Sequence, residues 1–426
     1  MQNVSVRICG WISEVRDLKK RIFFTVRDHT GVLQCIIEKS NNKILSEHAA
    51  GLALEQIVAV SGTIIQNPHV RQGGCELVVS EIEQISRPLA PLPFDLYAQE
   101  FPSLDIRMDW RFLDLRRPKN LLIFKIQTAA EMAMREYWIK NGFIEIHSPK
   151  LMGSPSESGS ELFELNYFGG KAYLAQSPQF YKQMAMAAGF DRVFEIGPVF
   201  RANPSFTSRH DTEFTSVDVE VAWVESHHDV MAIEEKWIQY ILSSLKDRFS
   251  DEIREHYGRE IVVPTLPFPR VTMEEAKKIL KERYSKTSEA VDLDPQDERL
   301  LADYVQKTLR HEFIFITDYP ISVRPFYHMR YPDKPMITKS FDLLWNGLEI
   351  TTGAQREHRY EELKRQAFEK GLTEDGLGSY LQFFKYGCPP HGGYGFGLTR
   401  MLMILLGLGN VREVTFIYRG PKRLFP

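Results

Sequence analysis

The sequence predicts an α+β protein in which a mainly antiparallel sheet flanked by helices follows a small N-terminal β-barrel. Three observations carry this expectation. Short β-rich stretches crowd the first 86 residues, Pro88, Pro91 and Pro93 interrupt the chain after them, and two adjacent hairpins can be read directly further on.

At 426 residues, 43% hydrophobic and 26% charged, the chain is long enough for one large core and a smaller module. Its 53 Lys+Arg balance 56 Asp+Glu to a net charge of -3, so no overall basic field announces a polyanionic partner. Any nucleic-acid contact must come from local patches. Cys9, Cys35, Cys75 and Cys388 form no C-x-x-C pair and have no His at metal-ligand spacing, which points to four reduced thiols. The N-terminus passes straight into strand-like sequence, and the longest apolar run, Met401 to Leu408, is too short to span a bilayer. A cytoplasmic protein with no membrane partner is expected.

The β-rich stretches VRICGWI, RIFFTVRD, VLQCIIE, IVAVSGTII and CELVVSEIEQI are separated by turn signals at His29-Thr30-Gly31 and Gln72-Gly73-Gly74. Five short strands suit a barrel of the OB type over residues 1–86. RPLAPLPFDL stiffens an extended linker, taken as 87–118, and residues 119–426 form the large domain. There Leu122, Ile126, Ala129, Ala133 and Tyr137 recur near a 3.6 period up to Asn141-Gly142, a C-cap pair. Strands then alternate with helices, and residues 225–312 read as mostly helical and charged.

Three constellations could carry chemistry. The first hairpin pairs VFEIGPVFR with EFTSVDVEVAW; Val217, Val219 and Val221 share one face, so Phe214, Asp218 and Glu220 share the other. Arg201, Arg209 and His210 add donors near that face, a grip for a polyphosphate with Phe214 stacking a base. A surface hairpin with ordinary charges explains the same residues. In the second hairpin, Asn346-Gly347 fits a type I′ turn. That turn sets Trp345 opposite Leu348, Leu344 opposite Glu349 and Asp342 opposite Thr351. Asp342 and Glu349 become diagonal neighbours that repel unless a cation such as Mg²⁺ sits between them, or unless Lys339 or Arg356 satisfies one of them.

The third constellation, HGGYGFGLTRMLMILLG, allows close backbone approach and then a helix with Leu398, Met401, Leu402 and Leu405 inward and Arg400 in its first turn. Sheet-to-helix packing accounts for the glycines equally well. In the small module, Phe23 and Gln34 suit base stacking and edge recognition, with one of Phe23 and Phe24 expected inward.

In this order, behind an OB-like module, these elements resemble class II aminoacyl-tRNA synthetases over essentially the whole chain, specifically the aspartyl-tRNA synthetases of archaeal and eukaryotic type. GFIEIHSPK (142–150) resembles the first motif of that class, FR with its loop and TEF the second, and GYGFGLTR the third. The resemblance implies a class II antiparallel sheet and a homodimer built on the first motif. It further implies that Arg201 and Arg400 are catalytic. ATP would be bound by Arg201, Arg209, His210, Phe214, Glu349 and Arg400, and Mg²⁺ by Asp342 and Glu349. Aspartate would be held by Glu157, Gln179, Lys182 and Arg356, the last two facing its side-chain carboxylate. Phe23, Gln34 and Glu76 would read the anticodon. The partners implied are ATP, L-aspartate and tRNA(Asp), with tRNA(Asn) open as a second acceptor, and no DNA.

The sequence departs from the family pattern at Asn203, where a Glu is usual, at Thr399, where the family has Glu before Arg400, and at Gly420, where it has Asp. Two other readings stay open: a paralogue using the aspartyl-adenylate to form amides or peptides, and a weakly catalytic RNA-binding paralogue.

Overall fold

A computed structural model describes residues 4–70, 73–98, 100–154, 161–205, 207–288 and 290–426. The chain divides into two compact units, Met1–Leu121 and Leu122–Pro426.

In the first unit, β1 (Val4–Asp17), β2 (Arg21–Arg27), β3 (Val32–Glu38), β4 (Ile57–Gln66) and β5 (Cys75–Ser86) close a barrel in the order β1-β2-β3-β5-β4. A short helix, α1 (Lys43–Ala50), joins β3 to β4 and is capped by the Asn42 side chain, which accepts from the Leu45 amide. Strand alternation sends Ile22, Phe24 and Val26 into the core and leaves Phe23 half-buried on the outer face. Tyr97 and Arg116, in the stretch 87–118 read as a linker, reach back to the barrel. Glu55, buried at 3% exposure, accepts from Tyr97 Oη at 2.6 Å and Arg116 Nη1 at 3.0 Å, and from Arg27 Nη2 of β2 at 3.1 Å. Two short helices follow, α2 (Leu104–Asp109) and α3 (Arg111–Asp114), tied by Arg107 and Arg111 to the buried Asp114.

The second unit starts on α4 (Pro118–Lys140), followed by β6 (Ile144–Glu145) and a small sheet of β7 (Leu151–Met152), β8 (Glu164–Tyr167) and β9 (Gly170–Leu174). Next come α5 (Gln179–Ala187), the hairpin β10 (Arg192–Phe200) and β11 (Glu213–Ala222), and the long α6 (His227–Tyr257). A capping box of Ser226 and Asp229 starts α6, and Gly258 in the left-handed region (φ 63°) ends it. The remaining strands and α-helices are β12 (Arg270–Thr272), α7 (Met273–Tyr284), α8 (Pro295–Tyr304), β13 (Phe313–Thr317), β14 (Ser340–Trp345), β15 (Leu348–Gln355), α9 (Tyr360–Glu369), α10 (Glu374–Lys385), β16 (His391–Gly397), α11 (Leu398–Leu406) and α12 (Val411–Val414).

Eight strands form one sheet in the order β12-β13-β14-β15-β16-β11-β10-β6, antiparallel from β13 to β10 and parallel only at its two edges. One face is apolar. Val217, Val219 and Val221 point into it, and Trp237 of α6 packs on Phe396 and Tyr394 and stacks on Trp138 of α4 at 4.7 Å. The other face carries polar groups.

The second hairpin turns at Asn346 (φ 48°) and Gly347 (φ 79°), the left-handed pair that a type I′ turn requires. Trp345 opposes Leu348 and Leu344 opposes Glu349, as the turn dictates. Beyond that the register shifts, and Asp342 faces Thr352 rather than the expected Thr351. The cause is a bulge next to Leu344, which absorbs one residue of β15 and keeps Glu349 and Thr352 within 3.4 Å of each other.

A buried acid on α6 gives a stability test. Glu234 is fully buried, neither of its oxygens has a hydrogen-bond partner of normal geometry, and burial pushes its pKa from 4.5 up to about 8. An acid whose folded pKa lies above its unfolded one weakens the fold as pH climbs from the unfolded value towards the folded one. Glu234→Gln should therefore add about 3 kcal/mol at pH 7 and little at pH 4. Urea denaturation at the two pH values checks this, and an equal gain at both would contradict it.

Candidate functional site

The polar face of the sheet floors a cleft of about 330 Å³. Its floor follows from register: Asp342 pairs with Thr352, Thr352 with Gly395 and Gly395 with Asp218, so one row of positions crosses four strands. β16 alternates glycine with aromatics. Tyr394 and Phe396 go into the core, while Gly393 and Gly395 leave space on the cleft side. A Cβ on Gly393 would lie 2.1 Å from the Val219 carbonyl and 2.3 Å from Glu220 Oε2. Only glycine there lets the Glu220 carboxylate lie across the strand.

That carboxylate organises one end of the cleft. Glu220 is fully buried and accepts from Arg356 Nε at 2.9 Å and Nη2 at 3.3 Å, a bidentate pair, while Lys182 Nζ stands 3.4 Å away. Burial alone would raise its pKa, but Arg356 and Lys182 outweigh burial and hold it below the ordinary value. Lys182, on the first turn of α5, also donates to Asp218 Oδ1 at 2.9 Å and to the Tyr394 carbonyl at 3.2 Å.

The surrounding groups fix these two cations. Gln179 Nε2 donates to Gln183 Oε1, which also accepts from Tyr380 Oη, and Gln183 Nε2 donates to His391 Nε2 at 2.9 Å. Burial lowers the His391 pKa to about 4, so the ring is neutral and carries its proton on Nδ1, facing the Pro389 carbonyl. Arg356 lies over the Tyr327 ring and donates from Nη1 to His328 Nε2 at 3.0 Å.

The hairpin loop shapes the other end. Arg201 follows β10 with its guanidinium 5.5 Å from the Phe214 ring centre. Arg209 donates to Glu298 of α8 at 2.8 Å, and His210 Nδ1 meets the Thr207 hydroxyl at 2.6 Å. Burial and then Arg400 lower the His210 pKa. Arg400, in the first turn of α11, donates from Nη1 to the Glu349 carbonyl at 2.7 Å and to its Oε1 at 3.2 Å.

Gln179, Lys182, Arg201, Arg209, His210, Phe214, Glu349, Arg356 and Arg400 thus line one cleft although they are scattered over more than two hundred residues of sequence. Asp342 stands behind its wall, 2.6 Å from Arg324 Nη2, and its Oδ1 makes no hydrogen bond of normal geometry. Neither Lys339 nor Arg356 satisfies the acid pair: Arg324 takes Asp342 and Arg400 takes Glu349. Burial, with Asp342 adding to it against Arg400, raises the Glu349 pKa. Glu157 lies outside the described residues.

Two wall residues, His328 and Asp211, and Glu298, the partner of Arg209, were missed in the sequence. His328 sits in an irregular segment with no periodicity to read. Asp211, its pKa pushed up to about 7 by burial, looks like any loop acid. Glu298, also pushed up to about 7 by burial and then by Glu349, looks like any charge on a solvated helix.

Two departures from the family pattern have local explanations. Asn203 Oδ1 accepts from the Ser205 amide and stabilises the loop's own turn. At Gly420 a Cβ would lie 2.3 Å from the Tyr418 hydroxyl, and that hydroxyl donates to the His210 carbonyl at 3.3 Å. Nothing in the structure explains Thr399.

On the barrel, Gln34 Nε2 donates to Glu76 Oε2 at 2.8 Å, and Asn67 donates to Glu76 Oε1 at 2.9 Å. Arg16 reaches both Gln34 and the Phe23 ring, so Phe23, Gln34 and Glu76 stand on one outer face.

Comparison with known proteins places both units. Residues 6–85 match the OB-fold nucleic acid binding domain, and residues 103–418 match the tRNA synthetases class II (D, K and N). The chain is 43% identical to an aspartate–tRNA(Asp/Asn) ligase of Aeropyrum pernix, over 99% of this chain and 95% of that protein. It is 41% identical to an aspartate–tRNA(Asp) ligase of Pyrococcus abyssi, over 99% and 96%. Among solved structures, asparaginyl-tRNA synthetase from Pyrococcus horikoshii complexed with asparaginyl-adenylate superposes with a TM-score of 0.92 at 32% identity, covering 100% of this chain and 96% of that one. Aspartyl tRNA synthetase from Entamoeba histolytica gives 0.88 at 32% identity, over 99% and 90%. With a barrel that matches a nucleic-acid binder and a catalytic-type sheet matched over most of its length, the chain belongs to the class II tRNA synthetases of the D, K and N group, with an N-terminal OB-fold domain.

Proposed function

We propose that this chain is an aspartate–tRNA ligase, which activates L-aspartate with ATP and transfers it to the 3′ end of tRNA(Asp). The observation that carries the choice of amino acid is the pair of buried cations, Lys182 and Arg356, anchored together on Glu220 at the closed end of the cleft. Groups that only donate suit a side-chain carboxylate and disfavour an amide NH₂. Gln179 lies beside them for the α-amino end.

ATP fits the open end. Phe214 offers a stacking face for adenine, Arg201 a cation for the α-phosphate, and Arg209, His210 and Arg400 donors for the outer phosphates. An oxygen of the aspartate α-carboxylate attacks the α-phosphorus in line as the bond to pyrophosphate breaks, giving the mixed anhydride. Arg201 and Arg400 offset the charge that develops on the phosphoryl oxygens. The tRNA ribose hydroxyl then attacks the activated carbonyl and AMP leaves.

Asp342 and Glu349 suit Mg²⁺. They are neighbouring acids, one with an oxygen lacking a hydrogen bond and the other raised by burial, and Mg²⁺ bound by one or two carboxylates plus substrate phosphates is an ordinary arrangement. When bound, the ion supplies charge neutralisation for the phosphates. Arg324 would remain the partner of the second Asp342 oxygen.

Phe23, Gln34 and Glu76 form the anticodon-reading face in this scheme. The Aeropyrum pernix relative carries Asp/Asn in its name, which supports tRNA(Asn) as a second acceptor. Among the described residues, no helix is long and apolar enough to cross a membrane. We place the enzyme in the cytoplasm as a homodimer, with exposed Ile139 and Ile144 near the first motif available to a second copy.

Three measurements test this. Arg356→Lys, which removes the bidentate fork, should lower kcat/KM for aspartate in ATP–pyrophosphate exchange about tenfold to a hundredfold and leave KM for ATP near its original value. Exchange with asparagine but not aspartate would sink the assignment. Phe23→Ala combined with Gln34→Ala should abolish charging of tRNA(Asp) transcripts while exchange continues, and parallel charging of tRNA(Asn) decides the second acceptor. Chelation by EDTA should stop exchange, and Glu349→Gln should raise the Mg²⁺ concentration needed to restore it; an unchanged requirement would remove Glu349 as a ligand.

A further inference from the structure

His328 is a wall residue that neither the hairpins nor the glycine strand explains. It is 2% exposed, it lines the cleft, and its backbone pairs with that of Arg356 in an isolated antiparallel bridge. Arg356 Nη1 lies 3.0 Å from its Nε2. A guanidinium can only donate, so Nε2 is the acceptor and the neutral ring carries its proton on Nδ1. Burial, with Arg356, Arg324, Lys182 and Lys370 all adding to it, drives the His328 pKa well below its ordinary value, so the ring stays neutral. Nδ1 is itself buried and has no hydrogen-bond partner. A buried N–H left without an acceptor is costly, so such a donor points to an acceptor on a ligand.

We infer that His328 is a specificity-determining residue: its Nε2 fixes Arg356, and its Nδ1–H donates to the side-chain carboxylate of the bound amino acid. This rests on the reading of the cleft as an aspartate site and deepens it. Lys182, Arg356 and His328 then form a wall that can only donate. A carboxylate, which only accepts, satisfies such a wall from either oxygen, whereas an amide must turn its NH₂ against one of the donors. The histidine adds this discrimination without adding charge. That matters because Lys182 and Arg356 are already balanced by Asp218 and Glu220.

The test is pyrophosphate exchange by the full-length enzyme with aspartate and with asparagine, comparing wild type, His328→Leu and His328→Gln. Leucine fills similar space without either hydrogen bond. It should raise KM for aspartate about tenfold to a hundredfold, narrow the preference for aspartate over asparagine, and leave KM for ATP near the wild-type value. Glutamine can accept through its oxygen and donate through its nitrogen, so it should recover much of that loss. An equal rise in KM for ATP and aspartate, or a glutamine variant no better than leucine, would reduce His328 to a packing residue and overturn the inference. Wild-type exchange with aspartate together with an unchanged leucine variant overturns this inference alone. Wild-type exchange with asparagine only overturns it along with the aspartate reading.

Discussion

The cleft depends on one buried carboxylate. Glu220 sits at the centre of the sheet with no exposure, and it compensates both Lys182 and Arg356, buried at 2% and 3% exposure. Two buried cations and two buried anions, Asp218 and Glu220, form a neutral group in which every head is held by more than one partner. Removing one member would leave an uncompensated charge in a low-dielectric site, the costly case for buried ion pairs. Net positive charge therefore does not select the substrate. In the proposed reading, selection comes from the direction in which the donors face, an arrangement that Glu220, Tyr327 and His328 set before any ligand arrives.

Backbone geometry lets that carboxylate occupy its place. The glycines of β16 remove side chains where Glu220 and Asp218 cross the strand, while the intervening aromatics lock the same strand onto Trp237. The bulge in β15 does comparable work at the open end: it re-aims Glu349 so that both its carbonyl and its carboxylate meet Arg400. A rigid apolar face thus supports an adaptable polar one. Arg201, Arg209 and Arg400 rest on Phe214, Glu298 and Glu349, partners they can exchange for phosphate oxygens.

Much of this was legible in the sequence because period-two patterning and turn chemistry are local. The barrel strands, the split of Phe23 from Phe24, the type I′ turn and the polar face of β11 all follow from spacing alone. The register beyond the turn did not, since a bulge leaves no mark in a run such as LEITTG. The prolines at 88 to 93 suggested a stiff, extended linker, but the acid that gathers Tyr97 and Arg116, Glu55, lies over thirty positions upstream. The convergence of Arg209 on Glu298, or of Arg356 on His328, is fixed only by the tertiary fold. The resemblance supplied the residues of the site; the partners that hold them had to be seen.

The contact between Tyr418 and Gly420 bears on how such an enzyme diverges. A tyrosine folded back over position 420 and any side chain at that position exclude each other, because a Cβ would lie 2.3 Å from the phenol oxygen. The phenol also steadies the loop through the His210 carbonyl and packs near Arg412. The two positions are therefore epistatic. A side chain at 420 would require the Tyr418 ring to move off that position. Two positions that look independent in the sequence are, in three dimensions, one unit: the glycine gives the space in which the tyrosine supports the loop.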